Sequence, residues 1–311
     1  MGIFALLPLV LPLTAWPVAR LAELHLHPRT ATRLLTGVAS VMAVCSTLCL
    51  ALLMVVGTAR LPGNPLPDGW SGPEVRNAVP YDEIVGTAAI PALALVTAGC
   101  ARALWRHRWT VRRAHRTLAG LPGRSVAVLP ETEPYAYALP GGGSQDRIVV
   151  TTALLDGLTS AERRALFAHE RAHLTARHHR QLLAVRLAAR ANPFLVPLRT
   201  AVVYTAERWA DEEAARAVGS RWVVARAIGR AALLSRGTPA PTPAGLATAG
   251  PVPRRVAALL GPAPAPRTWP SVFTSAGLAV WGAAAGTLLS AMSSANSAVT
   301  MFLVLCAAES L

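Results

Sequence analysis

The stretch Phe167-Ala-His-Glu-Arg-Ala-His173 decides how this chain is read. Ser160 with an acid in the first turn after it, Glu162, and the apolar positions Ala161, Ala165, Leu166 and Ala168 predict a helix that runs into the histidines. Four residues on a helix turn through about 400°, so His169 and His173 leave one face within roughly 40° of each other, one turn apart. Two imidazoles placed this way can hold one divalent metal, and Glu170 can reach a water on that metal. The pattern is what zinc-dependent peptide hydrolysis needs, with Glu170 as general base and Zn2+ as cofactor.

Two histidines do not complete such a site, because three protein ligands are usual and a carboxylate commonly supplies the third. The strongest candidate is Glu207 in Glu207-Arg-Trp-Ala-Asp211. Glu207 and Asp211 are four apart and share a helix face, so one can ligate while the other accepts a hydrogen bond from a ligand imidazole. Glu212 and Glu213 are rivals for the ligand role and read as a solvated face. For stabilising an oxyanion, Arg254, Arg255, Tyr204 and His178 all stand open. His178 and His179 have the wrong spacing from His173 to share its face, and read as surface or lipid-headgroup contacts. Cys45, Cys49, Cys100 and Cys306 lie in apolar segments without a ligand-like spacing and read as packing residues.

The composition places this chemistry in a membrane setting. Of 311 residues, 53% are hydrophobic and 15% charged, too apolar for an ordinary soluble chain. Four segments carry the excess: Gly2 to Ala19, Leu34 to Ala59, Val85 to Ala101 with its extension to Trp105, and Ser271 to Met292, followed by a shorter piece from Ala298 to Ala308. Each of the four is near the length of a bilayer span. Arginines cluster after the first and third segments, whereas the loop from Arg60 to Ile84 is richer in acids. The positive-inside rule then predicts an outside N-terminus and a cytoplasmic middle region in the plasma membrane. The formal charge of +14 suggests nucleic acid at first sight, but much of it sits beside spans and suits the lipid bilayer, so no nucleic-acid partner is expected.

Between the third and fourth spans, Ser125 to Leu129, Tyr135 to Leu139 and Arg147 to Thr152 predict three short strands. Helices are expected over Gln181 to Ala191, Leu195 to Ala217, Arg221 to Leu234 and Val256 to Leu260, with irregular chain over Leu61 to Val79 and Gly237 to Gly250. The expected fold is a mainly α membrane protein of about four transmembrane helices with an inserted α+β zincin-like domain. Its parts are three spans over 1–104, a cytoplasmic zinc metallopeptidase domain over 105–270 and a C-terminal membrane segment over 271–311.

Ala138-Leu-Pro-Gly141, Ile148-Val-Val-Thr-Thr152, Leu154-Leu-Asp-Gly-Leu158, His169-Glu-Arg-Ala-His173 and Glu207-Arg-Trp-Ala-Asp211 occur in that order. Together they resemble the membrane-embedded gluzincin metallopeptidases, most of all the BlaR/MecR-type peptidases, with HtpX and the CAAX prenyl proteases as broader relatives. The resemblance covers about residues 125–260. It implies that His169, His173 and Glu207 bind zinc, that Glu170 is catalytic and that Asp211 supports a histidine. It also implies that the strand Arg147, Ile148, Val149 and Val150 pairs with an extended protein substrate, a repressor or a membrane protein. The sensor group carries a penicillin-binding domain after its last span that this sequence lacks, so β-lactam sensing is not expected. Where the prenyl proteases show His-Pro, this chain reads Val252-Pro-Arg-Arg255. The alternative reading is a catalytically silent membrane regulator that acts by binding protein, and the intact Glu170 argues against it.

Overall fold

The computed structural model describes residues 6–59, 82–119, 125–142, 145–235, 251–264, 269 and 271–309. The first apolar segment is broken by its prolines. A one-turn helix α1 (Leu7–Val10), a 3-10 turn (Leu11–Thr14) and α2 (Ala15–His25) follow one another, and the segment runs on past the expected Ala19. Pro8, Pro12 and Pro17 each lack the N–H that a continuous helix would use. Helix α3 (Pro28–Thr58) starts with Pro28 at its first position, where a missing N–H costs nothing, and with the His27 ring accepting from the Arg29 N–H. Helix α4 (Asp82–Thr117) carries the third segment straight through its basic extension. The two C-terminal apolar pieces form one continuous helix, α11 (Ser275–Glu309). Among the described residues, four helical stretches are thus long and apolar enough to cross a membrane. The loop expected over Leu61 to Val79 and the linker over Gly237 to Gly250 lie outside the described residues.

Between α4 and α11 lie β1 (Val126–Leu129), β2 (Ala136–Leu139), β3 (Arg147–Thr151), α5 (Thr152–Asp156), α6 (Ser160–Thr175), α7 (His178–Ala191), α8 (Val196–Val218), α9 (Arg221–Leu234) and α10 (Val252–Leu260). The strand order is β1-β3-β2, with β3 parallel to β1 and antiparallel to β2. Helix α6 begins one residue earlier than expected, at a capping box in which Thr159 and Glu162 satisfy each other's backbone N–H groups. Helix α8 ends at Gly219, whose φ of 75° is the left-handed conformation that glycine adopts at no cost.

The helices expected in the membrane and those of the catalytic region share one core. Leu35, Val38 and Met42 of α3 and Ala19 and Ala22 of α2 pack with Val185 of α7 and Leu198 and Val202 of α8. A buried hydrogen bond of 3.0 Å from Thr32 to Thr205 ties α3 to α8 two residues before Glu207. Deeper along α3, Asn192 at the end of α7 donates to Ser46, which in turn donates to the Pro8 carbonyl. That carbonyl stands where Pro12 denies α1 a helical partner, so the kink in the first segment and the α7–α8 corner satisfy each other's polar groups.

Candidate metal centre

Helices α6 and α8 bring the site together. His169 Nε2 lies 3.1 Å from His173 Nε2, and the two approach the Glu207 carboxylate at 3.5 Å each, one per oxygen. The donor atoms of His169, His173 and Glu207 all fall within 4.8 Å of one another, in a buried pocket of two nitrogens and one oxygen. The residues fit a divalent metal with a preference for imidazole and carboxylate, and zinc is such a metal. His169 turns its other nitrogen, Nδ1, to within 3.0 Å of Asp211, so the structure brings together the two residues whose support the sequence expected.

Arg255 of α10 closes the acidic side. Its guanidinium forks onto Asp211 at 2.6 and 2.9 Å and reaches Glu207 at 2.8 Å. Burial alone would raise both carboxyls. Arg255 and the histidines instead hold Glu207 well below its usual range, and Arg255 and His169 do the same to Asp211. Both acids are therefore anionic at neutral pH. Burial works against a proton on His169, yet Asp211 and Glu207 lift it to about 10, while burial pushes His173 down to about 4. A cation between the three donors would take over the positive charge that His169 otherwise holds.

The imidazole of His173 is backed differently. Its Nδ1 lies 2.9 Å from Nδ1 of His178, which is fully buried and edge-on to Trp209 at 4.7 Å between ring centres. This corrects the reading of His178 as a surface or headgroup contact. The spacing argument assumed one continuous helix. The chain instead turns at Arg177, with φ 53° and ψ 42°, and α7 restarts so that His178 folds under His173. Burial and the neighbouring histidines push His178 down to about 2, so it stays neutral and can accept the Nδ1 proton of His173. Glu212 is also corrected. It is buried and held by Arg208 at 3.0 Å and Arg221 at 2.8 Å, not on a solvated face. Glu213, partly exposed, pairs with Arg216 and accepts from the Trp209 indole.

Glu170 is buried beside the ligands, and its carboxyl is pushed up by burial and by Glu207, against His169 and Arg255. The backbone N–H of Ala138 in β2 faces it and works against that rise. This contact corrects the expected substrate strand. Arg147, Ile148, Val149 and Val150 belong to β3, the central strand, whose backbone is committed to β1 on one side and β2 on the other. No added strand can pair there. Thr151 N–H donates to the Tyr135 carbonyl, so by antiparallel alternation Tyr137 and Leu139 also face β3, and Ala136 and Ala138 turn their backbone groups outward. The free edge beside Glu170 is that of β2. Of the remaining oxyanion candidates, Arg254 pairs with Glu23 at 2.7 Å and lies 3.9 Å over the Tyr204 ring.

The model of Peptidase family M48 matches residues 101–189, a stretch that holds the sheet, Glu170 and both histidines. Over that stretch the chain is similar to a family of metallopeptidases. No curated protein and no solved structure matches the chain. Glu207, Asp211 and Arg255 lie beyond the matched residues, and their place in the site rests on the geometry alone.

Proposed function

We propose that this chain is a zinc-dependent endopeptidase of the membrane, with spans over 1–104 and 271–311 and a cytoplasmic catalytic domain over 105–270. The observation that carries the reading is the convergence of His169, His173 and Glu207 in one buried pocket beside Glu170. When bound there, zinc polarises a carbonyl and lowers the pKa of water. Glu170 takes the proton of the attacking water, its raised carboxyl bringing its basicity nearer to working pH, and passes that proton to the leaving amine. Asp211 and His178 fix the ring orientation and tautomer of His169 and His173. The substrate is an extended protein segment, from a repressor or a membrane protein, laid antiparallel along the free edge of β2, where the backbone of Ala136 and the carbonyl of Ala138 point outward. Order of motifs and span layout favour the BlaR/MecR-type peptidases within the broader group.

Elemental analysis of the detergent-purified protein tests the reading. One zinc per chain is expected, lost in His169→Ala and Glu207→Ala and kept in Glu170→Ala. Comparison of membrane and cytoplasmic proteomes between wild type and Glu170→Ala cells should then show a protein that is cut only by the wild type. Full zinc in both ligand variants would remove the metal assignment.

A further inference from the structure

A second cavity opens between the start of α3 and the first half of α11, with a volume of about 1110 Å³. Its walls change character along its length. At one end stand Arg29, Arg33 and Arg216, and at the other Val38 and Val41 of α3 face Leu288 of α11. One acid lines it, Glu213, and that acid is taken by Arg216 and the Trp209 indole. Among the described residues, Arg29 and Arg33 form no ion pair. Their guanidinium groups lie over the Trp209 ring at 5.6 and 5.2 Å. Trp269, which also lines the cavity, stacks on Trp281 of α11 at 6.0 Å, the kind of aromatic pair that marks a membrane interface.

We propose that this groove binds one anionic phospholipid, its phosphate between Arg29, Arg33 and Arg216 and an acyl chain along Val38, Val41 and Leu288. The inference rests on the membrane reading above and goes beyond it. The dimensions and charges agree. From Arg29 to Val41 the path along α3 is about 18 Å at the helical rise, close to the roughly 15 Å depth of one hydrocarbon leaflet. Two exposed arginines without an acidic partner at the interface end attract an anion, and their planar donor forks match phosphate oxygens. An apolar groove of this depth needs a chain attached to that anion, which a free phosphate does not supply. A protein helix would satisfy the apolar wall and leave the two arginines unpaired. The headgroup would also meet the guanidinium groups that lie on Trp209, which packs on His178.

The test uses the full chain in neutral detergent, incubated with equal amounts of phosphatidylglycerol and phosphatidylcholine and read by native mass spectrometry. Wild type should retain one phosphatidylglycerol in preference to phosphatidylcholine. Arg29→Gln with Arg33→Gln should lower that preference about 10–30-fold, from the attraction of two interfacial arginines for an anionic headgroup. Gly37→Leu should block retention while leaving both arginines in place. A Cβ at Gly37 meets open space, so this variant keeps the fold. Arg108→Gln with Arg112→Gln, on α4, should bind as wild type.

Equal retention of the two lipids by wild type, unchanged retention in the double variant, or displacement of the lipid by inorganic phosphate at equal concentration would each overturn the proposal. Reporter fusions at Gly72 and Gly142 separate this failure from failure of the membrane reading. Opposite sides with no lipid preference sinks the lipid site alone, whereas matching sides sinks the topology.

Discussion

The two flanks of the candidate metal centre do the same job with opposite means. His169 is backed by an anion, Asp211, which is itself clamped by the Arg255 guanidinium. His173 is backed by a neutral ring, His178, which leans on Trp209 and through it on two arginines of α3. Each arrangement turns Nε2 of its histidine into the pocket and backs the other nitrogen. The charged flank makes its ligand more basic and gathers three buried ionic groups, so its stability depends on every partner being present. The neutral flank carries no net charge and is joined to a helix long enough to cross a membrane.

The largest effect is expected from breaking the charged flank. Arg255→Met leaves two buried carboxylates, Glu207 and Asp211, to share the single positive charge of His169, which should destabilise the metal-stripped protein by about 3–5 kcal/mol. Denaturant unfolding in detergent measures this. A loss under 1 kcal/mol would mean that the two acids find water or a proton cheaply, and the contrast between the flanks would shrink to geometry.

Next in size is the effect on metal affinity, which puts the flanks side by side. Asp211→Asn and His178→Phe should each weaken zinc binding by roughly 10–100-fold, because the first removes the negative charge behind His169 and the second removes the acceptor behind His173. His178→Asn, whose side-chain oxygen can accept, should recover much of the loss, which a purely packing role would not allow. Competition with a chromophoric chelator gives the constants. If His178→Phe binds zinc as wild type does, the neutral flank is packing alone.

These residues also show how far the sequence could be read. Glu207 and Asp211 were legible because one uninterrupted helix carries both, so spacing alone put them on one face. His178 was not, because the helix breaks at Arg177 and the 3.6-residue period does not cross a left-handed residue. Arg255 was named only as an open candidate. Its partners lie far back in the sequence, and its pairing depends on how α10 packs on α8. Glu212 misled because charges on a helix usually mean solvent, and here Arg208 is buried with it and Arg221 reaches it from the next helix. The strands were found within a residue or two, but not their order. β3 inserts between β1 and β2, which hands the free edge to β2 and which no local pattern records. The break in the first segment was not read, although Pro8, Pro12 and Pro17 carry it.

Acid should distinguish the flanks in a further way. Burial holds the folded His178 at about 2, whereas the unfolded chain takes up a proton near 6.5. The unfolded state therefore binds more protons as the pH falls below 6.5, and stability drops in that window. Asp211, depressed in the fold, loses its contribution only below about 4, where the unfolded carboxylate begins to protonate. Between pH 7.5 and 5.5 the metal-stripped wild type should lose about 1.4 kcal/mol more than His178→Phe, from the full linkage of one buried neutral histidine. Parallel unfolding curves for the two proteins across that range would show that His178 takes up a proton without leaving the fold.

The smallest effect concerns the turn that places the neutral flank. Arg177 holds a left-handed conformation that costs a side-chain-bearing residue about 1 kcal/mol. Its side chain is exposed, and it makes no ion pair among the described residues. Arg177→Gly removes that cost, although glycine gives back part of the gain through the entropy of the unfolded chain. A net gain of a few tenths of a kcal/mol up to about 1 is expected, with zinc affinity unchanged because His178 keeps its place under His173. Arg177→Val, which adds a β-branch at positive φ, should lose stability and weaken zinc binding together. That coupled loss is the sign that the turn at residue 177 sets the position of His178. A valine variant that loses stability but keeps full zinc affinity would mean that the ring of His178 is held by Trp209 alone.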